Sequence, residues 1–223
     1  MKKDVLIVIG PSACGKTTVV NLVSEMAPEF SFVRSMTTRP ERFAGDSEYL
    51  YVDDATFAQA QKNGELLESM TFGEYSYGTP KAEIDRIARE GKHPLMILDL
   101  VGNENVRKSE IGGRVFSVYL YGDVNEIEQR LYDREMANAD ALTGFLTFQK
   151  RKDRNIADYL SMDGRAGQFD AMVENVTPDG AAEKILTLYR EGKTADEGEL
   201  APIRAALHEA AVKKLGYTVS DNQ

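Results

Sequence analysis

Gly10-Pro11-Ser12-Ala13-Cys14-Gly15-Lys16-Thr17-Thr18 follows directly on the apolar run Val5-Leu6-Ile7-Val8-Ile9. The spacing is G-x-x-x-x-G-K-[ST], and a strand before it with a helix after it is the setting in which that pattern cradles phosphate. Gly10 and Gly15 let the backbone curl so that the N–H groups around Ser12, Ala13 and Cys14 turn inward at phosphate oxygens. A helix opening near Lys16 and running through Thr18 aims its positive end at the same place. Lys16 reaches the terminal phosphates, and the Thr17 hydroxyl is placed to ligate Mg²⁺. Glycine-rich turns after strands are common, but the complete pattern after five apolar residues points to a bound nucleoside triphosphate, with ATP and Mg²⁺ as the expected pair.

A second constellation has the chemistry of a phosphate acceptor. Thr37-Thr38-Arg39-Pro40-Glu41-Arg42 puts two arginines three apart in a non-periodic stretch. Two guanidinium forks facing one way suit a phosphate monoester, which they grip bidentately. Tyr49 and Tyr77 can each donate a phenolic hydrogen bond to the same phosphate. Ser35, Glu68 and Asp99 are polar or acidic residues at the ends of apolar stretches. A guanine edge offers an N1–H and an N2 amine as donors, for which carboxylates are the natural acceptors.

The elements that must hold these residues are legible in outline. Apolar stretches at Val5–Ile9, Phe32–Ser35, Pro94–Leu100, Val115–Tyr121 and Ala171–Val176 read as strands, and Thr18–Met26, Pro80–Lys92 and Asp123–Arg134 read as helices between them. Asp123 is placed to cap the last. Alternation of this kind implies an α/β fold, a three-layer α/β/α with a mainly parallel five-stranded core sheet. Residues 35–79 break the rhythm, with a β-like piece at Glu48–Val52, a helix from Asp53 or Asp54 and many aromatics; they read as an inserted substrate-binding subdomain. Residues 134–156, rich in Arg, Lys and Asp around Gly144, read as a helical lid. The core is then 1–34, 80–133 and 157–195. Residues 196–223 form a C-terminal extension whose helix, Leu200–Leu215, packs on the core or on a second subunit.

Composition excludes several classes. The 223 residues are 42% hydrophobic and 28% charged with a net charge of −9, which suits one globular α/β domain. That charge argues against broad nucleic-acid binding, which rests on neutralising phosphates with Lys and Arg. The single cysteine, Cys14, rules out a disulfide framework and suits a reducing cytoplasm. It reads as a small side chain in a tight loop, with a redox role as the alternative. No stretch has the ~18 apolar residues of a membrane span.

In order along the chain, the motifs resemble those of the guanylate kinase family, a group of P-loop nucleoside monophosphate kinases. Ser35-Met36-Thr37-Thr38-Arg39-Pro40-Glu41-Arg42 is similar to that family's Ser-x-Thr-Thr-Arg-x-x-Arg segment, and Glu48-Tyr49-Leu50-Tyr51-Val52 to its Asp-Tyr-x-Phe-Val piece. Glu65-Leu66-Leu67-Glu68 and Tyr75-Ser76-Tyr77-Gly78-Thr79 match two further elements in position and spacing. The resemblance implies Mg-dependent phosphoryl transfer from ATP to GMP, and to dGMP, by a monomer or homodimer. It implies that Arg39, Arg42, Tyr49 and Tyr77 hold the GMP phosphate and that Ser35, Glu68 and Thr79 read guanine with Asp99 nearby. Lys16 and Thr17 would serve ATP and its metal, and Arg134 with Arg151 or Arg154 would neutralise the transferring group. The family's usual acid two residues before Asp99 is Ile97 here. A ribose bisphosphate kinase and a non-catalytic protein-binding module are the alternatives, disfavoured by the retained Glu68 and Asp99 and by the intact Lys16 and Thr17.

Overall fold

The computed structural model describes residues 3–41 and 49–216. In chain order the elements are β1 (Val5–Ile9), α1 (Lys16–Met26), β2 (Phe30–Phe32), β3 (Met36–Thr37), β4 (Leu50–Tyr51), α2 (Asp54–Lys62), β5 (Leu66–Phe72), β6 (Tyr75–Pro80), α3 (Lys81–Arg89), β7 (His93–Leu98), α4 (Leu100–Lys108), β8 (Val115–Tyr121), α5 (Val124–Ala137), α6 (Ala141–Leu160), β9 (Ala171–Glu174), α7 (Pro178–Glu191) and α8 (Glu197–Lys214). Five strands form one sheet in the order β2-β7-β1-β8-β9, with β2 parallel to β7 and β8 parallel to β9. All five residues of β1 are buried, as expected of a parallel strand covered on both faces. A second sheet has the order β4-β3-β6-β5, in which β6 runs antiparallel to β3 and to β5.

By its internal packing the chain divides into two compact units, Met1–Ile7 with Val23–Phe116, and Val8–Leu22 with Ser117–Gln223. The first carries the four-stranded sheet. Its core includes Phe57 of α2, Ile84 and Ile87 of α3, and Leu95 and Leu98 of β7. The second carries the glycine-rich loop, β8, β9 and helices α5 to α8, around Leu120, Leu131, Met162, Ile185 and Leu207. Helix α8 packs on α6 and β9 and on the 3-10 turn Met162–Arg165.

Several boundaries differ from those expected, each for a local reason. The strand expected over Phe32–Ser35 ends at Phe32, and β3 starts a new sheet at Met36. The chain leaves the first sheet where the Arg34 N–H turns to the Glu83 carboxylate, 3.4 Å away, in place of a ladder partner. The strand expected to reach Leu100 stops at Leu98, because Asp99 caps an unforeseen helix, α4, by accepting from the Gly102 N–H at 2.6 Å. The strand expected to reach Val176 stops at Glu174. Helix α8 starts earlier than the expected Leu200, since Asp196 and Glu199 form a capping box ahead of it.

Residues 134–156 fall on the last turn of α5 and most of α6, which form a helical hairpin. Gly144 sets how closely it closes, since a Cβ there would stand 2.7 Å from the Glu135 carbonyl oxygen. Gly144→Ala should therefore force the two helices apart and lower stability by about 2 kcal/mol, read as a lower midpoint in urea. An unchanged midpoint would show that the hairpin yields freely at this point.

Candidate active site

In the second unit the glycine-rich loop passes so near β8 that a Cβ on Gly10 would lie 2.3 Å from the Leu120 carbonyl oxygen. Ala13 then takes φ +68°, a left-handed conformation that no other described non-glycine residue adopts. Two buried asparagines hold the turn. The Asn155 amide accepts from the Ser12 N–H at 2.8 Å and donates to the Ser12 carbonyl at 3.1 Å. Asn175 Nδ2 donates to the Cys14 carbonyl at 2.8 Å. Lys16 Nζ donates to the carbonyls of Gly10 at 2.9 Å and Pro11 at 2.7 Å. Lys16 also starts α1, so the loop, the ammonium and a helix N-terminus coincide, as an anion site requires. Thr17 and Thr18 are exposed on the first turn of that helix.

The same unit holds the cationic residues expected of the lid. Arg134 donates twice to Glu135 Oε1, at 2.9 and 2.7 Å, and Arg151 Nε lies 3.5 Å from the same oxygen. One mostly buried carboxylate therefore gathers both arginines. Arg154 is half-buried further along α6.

In the first unit the acceptor-type residues converge on the four-stranded sheet. The Arg39 guanidinium lies 5.3 Å from the Tyr49 ring centre and donates to the Tyr51 hydroxyl at 3.2 Å. Tyr49 meets Tyr77 edge-on at 6.0 Å. The arginine's backbone is pinned, for its N–H reaches Thr37 Oγ1 at 3.1 Å, and that hydroxyl donates to the Ser76 carbonyl at 2.9 Å. Thr79 Oγ1 donates to Glu68 Oε1 at 2.7 Å, both side chains being buried. Burial pushes the Glu68 carboxyl up to about 7, helped by the negative charge of Asp99, while the Thr79 hydrogen bond opposes the shift. Asp99 thus sits near Glu68 and also caps α4. Ser35 is half-buried, and its carbonyl accepts from the Leu50 N–H at 2.9 Å. Arg42 lies outside the described residues.

Three residues that shape these clusters escaped the sequence reading. Asn155 and Asn175 sit at no motif spacing, so nothing along the chain marks them. Glu135 adjoins Arg134 and was legible only as one more surface charge.

Burial decides how Cys14 behaves. Its thiol is 1% exposed, and burial pushes it upward despite the opposing charge of Lys16. A thiolate is the reactive form, so the redox alternative loses support. Native protein should react with an aromatic disulfide reagent at least about a hundred times more slowly than unfolded protein. Equal rates would restore the case for a redox-sensitive loop.

Comparison with known proteins places the chain in a family. The family model described as Guanylate kinase matches residues 2–188. Curated relatives include the guanylate kinase of Lactobacillus johnsonii, 34% identical over 186 residues covering 82% of this chain and 86% of that protein. The guanylate kinase of Nitrobacter hamburgensis is 30% identical over 194 residues, covering 85% and 87%. Among solved structures, guanylate kinase from Anaplasma phagocytophilum is similar in fold, with a TM-score of 0.57 at 18% identity over 86% of each chain. With a phosphate-type loop in one unit, an arginine–tyrosine cluster beside a buried carboxylate in the other, and a match running nearly end to end, the chain belongs to the guanylate kinase family.

Proposed function

We propose that this protein transfers the γ-phosphoryl group of MgATP to GMP and dGMP, giving GDP or dGDP and ADP. The observation that carries the acceptor assignment is the buried Glu68–Thr79 pair with Asp99 near it. A guanine edge presents two adjacent N–H donors, and a buried carboxylate that would otherwise favour protonation gains most from accepting them. A sugar phosphate presents single hydroxyls there rather than the planar pair of N–H donors of a guanine edge. A binding module would have no use for Lys16 at a helix N-terminus.

In this reading Arg39, Arg42, Tyr49 and Tyr77 grip the GMP phosphate, while Ser35, Glu68, Thr79 and Asp99 serve the base. Gly10, Ser12, Ala13, Cys14, Gly15, Lys16, Thr17 and Thr18 cradle the ATP phosphates. No protein base is needed, since the acceptor phosphate is already an anionic nucleophile. Catalysis is alignment and charge stabilisation. Arg134 and Arg151 exchange their shared Glu135 partner for the transferring phosphoryl group, whose charge they neutralise.

The described residues contain no cluster of three or more His, Cys, Asp or Glu able to hold a metal. Mg²⁺ carried on ATP prefers phosphate oxygens and water with one or two protein oxygens, and the Thr17 hydroxyl would supply one here. Bound there, Mg²⁺ supplies charge neutralisation across the phosphates. No described helix is long and apolar enough to cross a membrane. We place the activity in the cytoplasm, in a monomer or homodimer that acts on nucleotides alone, without nucleic-acid or membrane partners.

A coupled assay of ADP formation with GMP, dGMP, AMP, CMP and UMP as separate acceptors tests the proposal. Turnover should be confined to GMP and dGMP; turnover with a pyrimidine acceptor, or none with GMP, would overturn it. In the same assay Arg39→Ala should raise KM for GMP by about thirty-fold, the worth of a charge-assisted contact, with KM for ATP within about two-fold. Equal losses for both substrates would contradict the assignment of Arg39 to the acceptor.

A further inference from the structure

We infer that Asn155 is a positioning residue for the donor nucleotide, acting through the backbone of Ser12 and Ala13; this deepens the kinase reading above. The side chain is 6% exposed and comes from α6, 143 positions along the chain from the residue it holds. One planar amide takes both backbone polar groups of Ser12, accepting from its N–H at 2.8 Å and donating to its carbonyl at 3.1 Å. The Ser12 N–H belongs to the peptide before that residue and its carbonyl to the peptide after it. Both planes are therefore fixed.

The peptide after Ser12 is the one that enters Ala13, at φ +68°. An L-residue relaxes out of that region unless its neighbours are held. Left-handed geometry at this point is also what turns successive N–H groups toward a common anion. Asn175 holds the carbonyl of Cys14, the residue after Ala13. Asn155 thus keeps a strained residue in the conformation that makes the loop an anion nest.

The placement has a second consequence. Arg151 precedes Asn155 by four residues on α6, so the two side chains share one face of the helix. The same helix turn that grips the loop carries an arginine proposed to meet the transferring phosphoryl group. Loop conformation and arginine position are linked through one rigid element.

The experiment is direct binding of MgADP, with GMP binding measured in parallel, to the wild type, Asn155→Leu, Ala13→Gly and the double variant by titration calorimetry. Glycine enters the left-handed region without strain, so it removes the need for the clamp. Asn155→Leu should weaken MgADP by about five-fold or more, the scale of releasing one left-handed residue. Its effect on GMP should stay within about two-fold. In the Ala13→Gly background the same substitution should cost less than half that factor. A loss under five-fold, an equal loss in both backgrounds, or equal weakening of GMP would overturn the inference.

Should the leucine variant not fold, Asn155→Asp replaces it. That side chain keeps the acceptor for the Ser12 N–H but sets a carboxylate oxygen against the Ser12 carbonyl, and the same pattern of loss and relief is expected. Failure of the wild type to bind GMP would defeat the functional reading while leaving the MgADP comparison decisive for Asn155.

Discussion

The close passage of the chain over β8 governs the shape of the glycine-rich loop. At Gly10 the backbone comes so near the Leu120 carbonyl that a methyl group could not be accommodated. The chain must then reverse within a few residues to start α1 at Lys16, and Ala13 absorbs the turn in a left-handed conformation. Strain of this kind costs about 1–2 kcal/mol and persists only where the surroundings impose it. Here the surroundings are two buried asparagine amides, one from α6 and one just past the end of β9. Their hydrogen bonds replace the regular backbone partners that a tight loop cannot make for itself.

The four-stranded sheet carries the opposite kind of cost, a carboxylate buried with a neutral partner. Glu68 has one hydroxyl donor, Thr79, and a negative neighbour, Asp99, so its environment favours the proton. A ligand bringing two N–H donors reverses that preference. The arginine–tyrosine cluster on the same sheet sets the Arg39 cation against the Tyr49 ring and the Tyr51 phenol.

How much of this the sequence disclosed depends on the range of the interaction. The loop was readable because a phosphate cradle fixes residue types at consecutive positions, and Val5–Ile9 and Val115–Tyr121 because parallel strands buried on both faces are mostly apolar, Ser117 being the exception. Asp53 and Asp123 announced α2 and α5 because capping is local. Asp99 was read for its ligand chemistry alone, and the helix it caps was missed. Asn155 and Asn175 act on residues 143 and 161 positions away, so only the folded chain reveals them. The gathering of Arg134 and Arg151 on Glu135 depends on how α5 and α6 close at Gly144, which no spacing encodes.

The central claim, that a buried acid reads guanine, makes GMP binding a proton-linked event. A carboxyl held at about 7 in the free protein must ionise to accept the two N–H donors, so binding lowers its pKa and expels a proton wherever the free acid is protonated. Calorimetric titration of GMP in buffers of different ionisation heat measures that proton directly. The GMP phosphate, with a second pKa of about 6, gives up its own proton in any variant, so near pH 6 release should exceed that of Glu68→Gln by nearly one proton per GMP, and the difference should vanish above about pH 8.5. No release in the wild type at pH 6, or the same release in Glu68→Gln, would contradict the account.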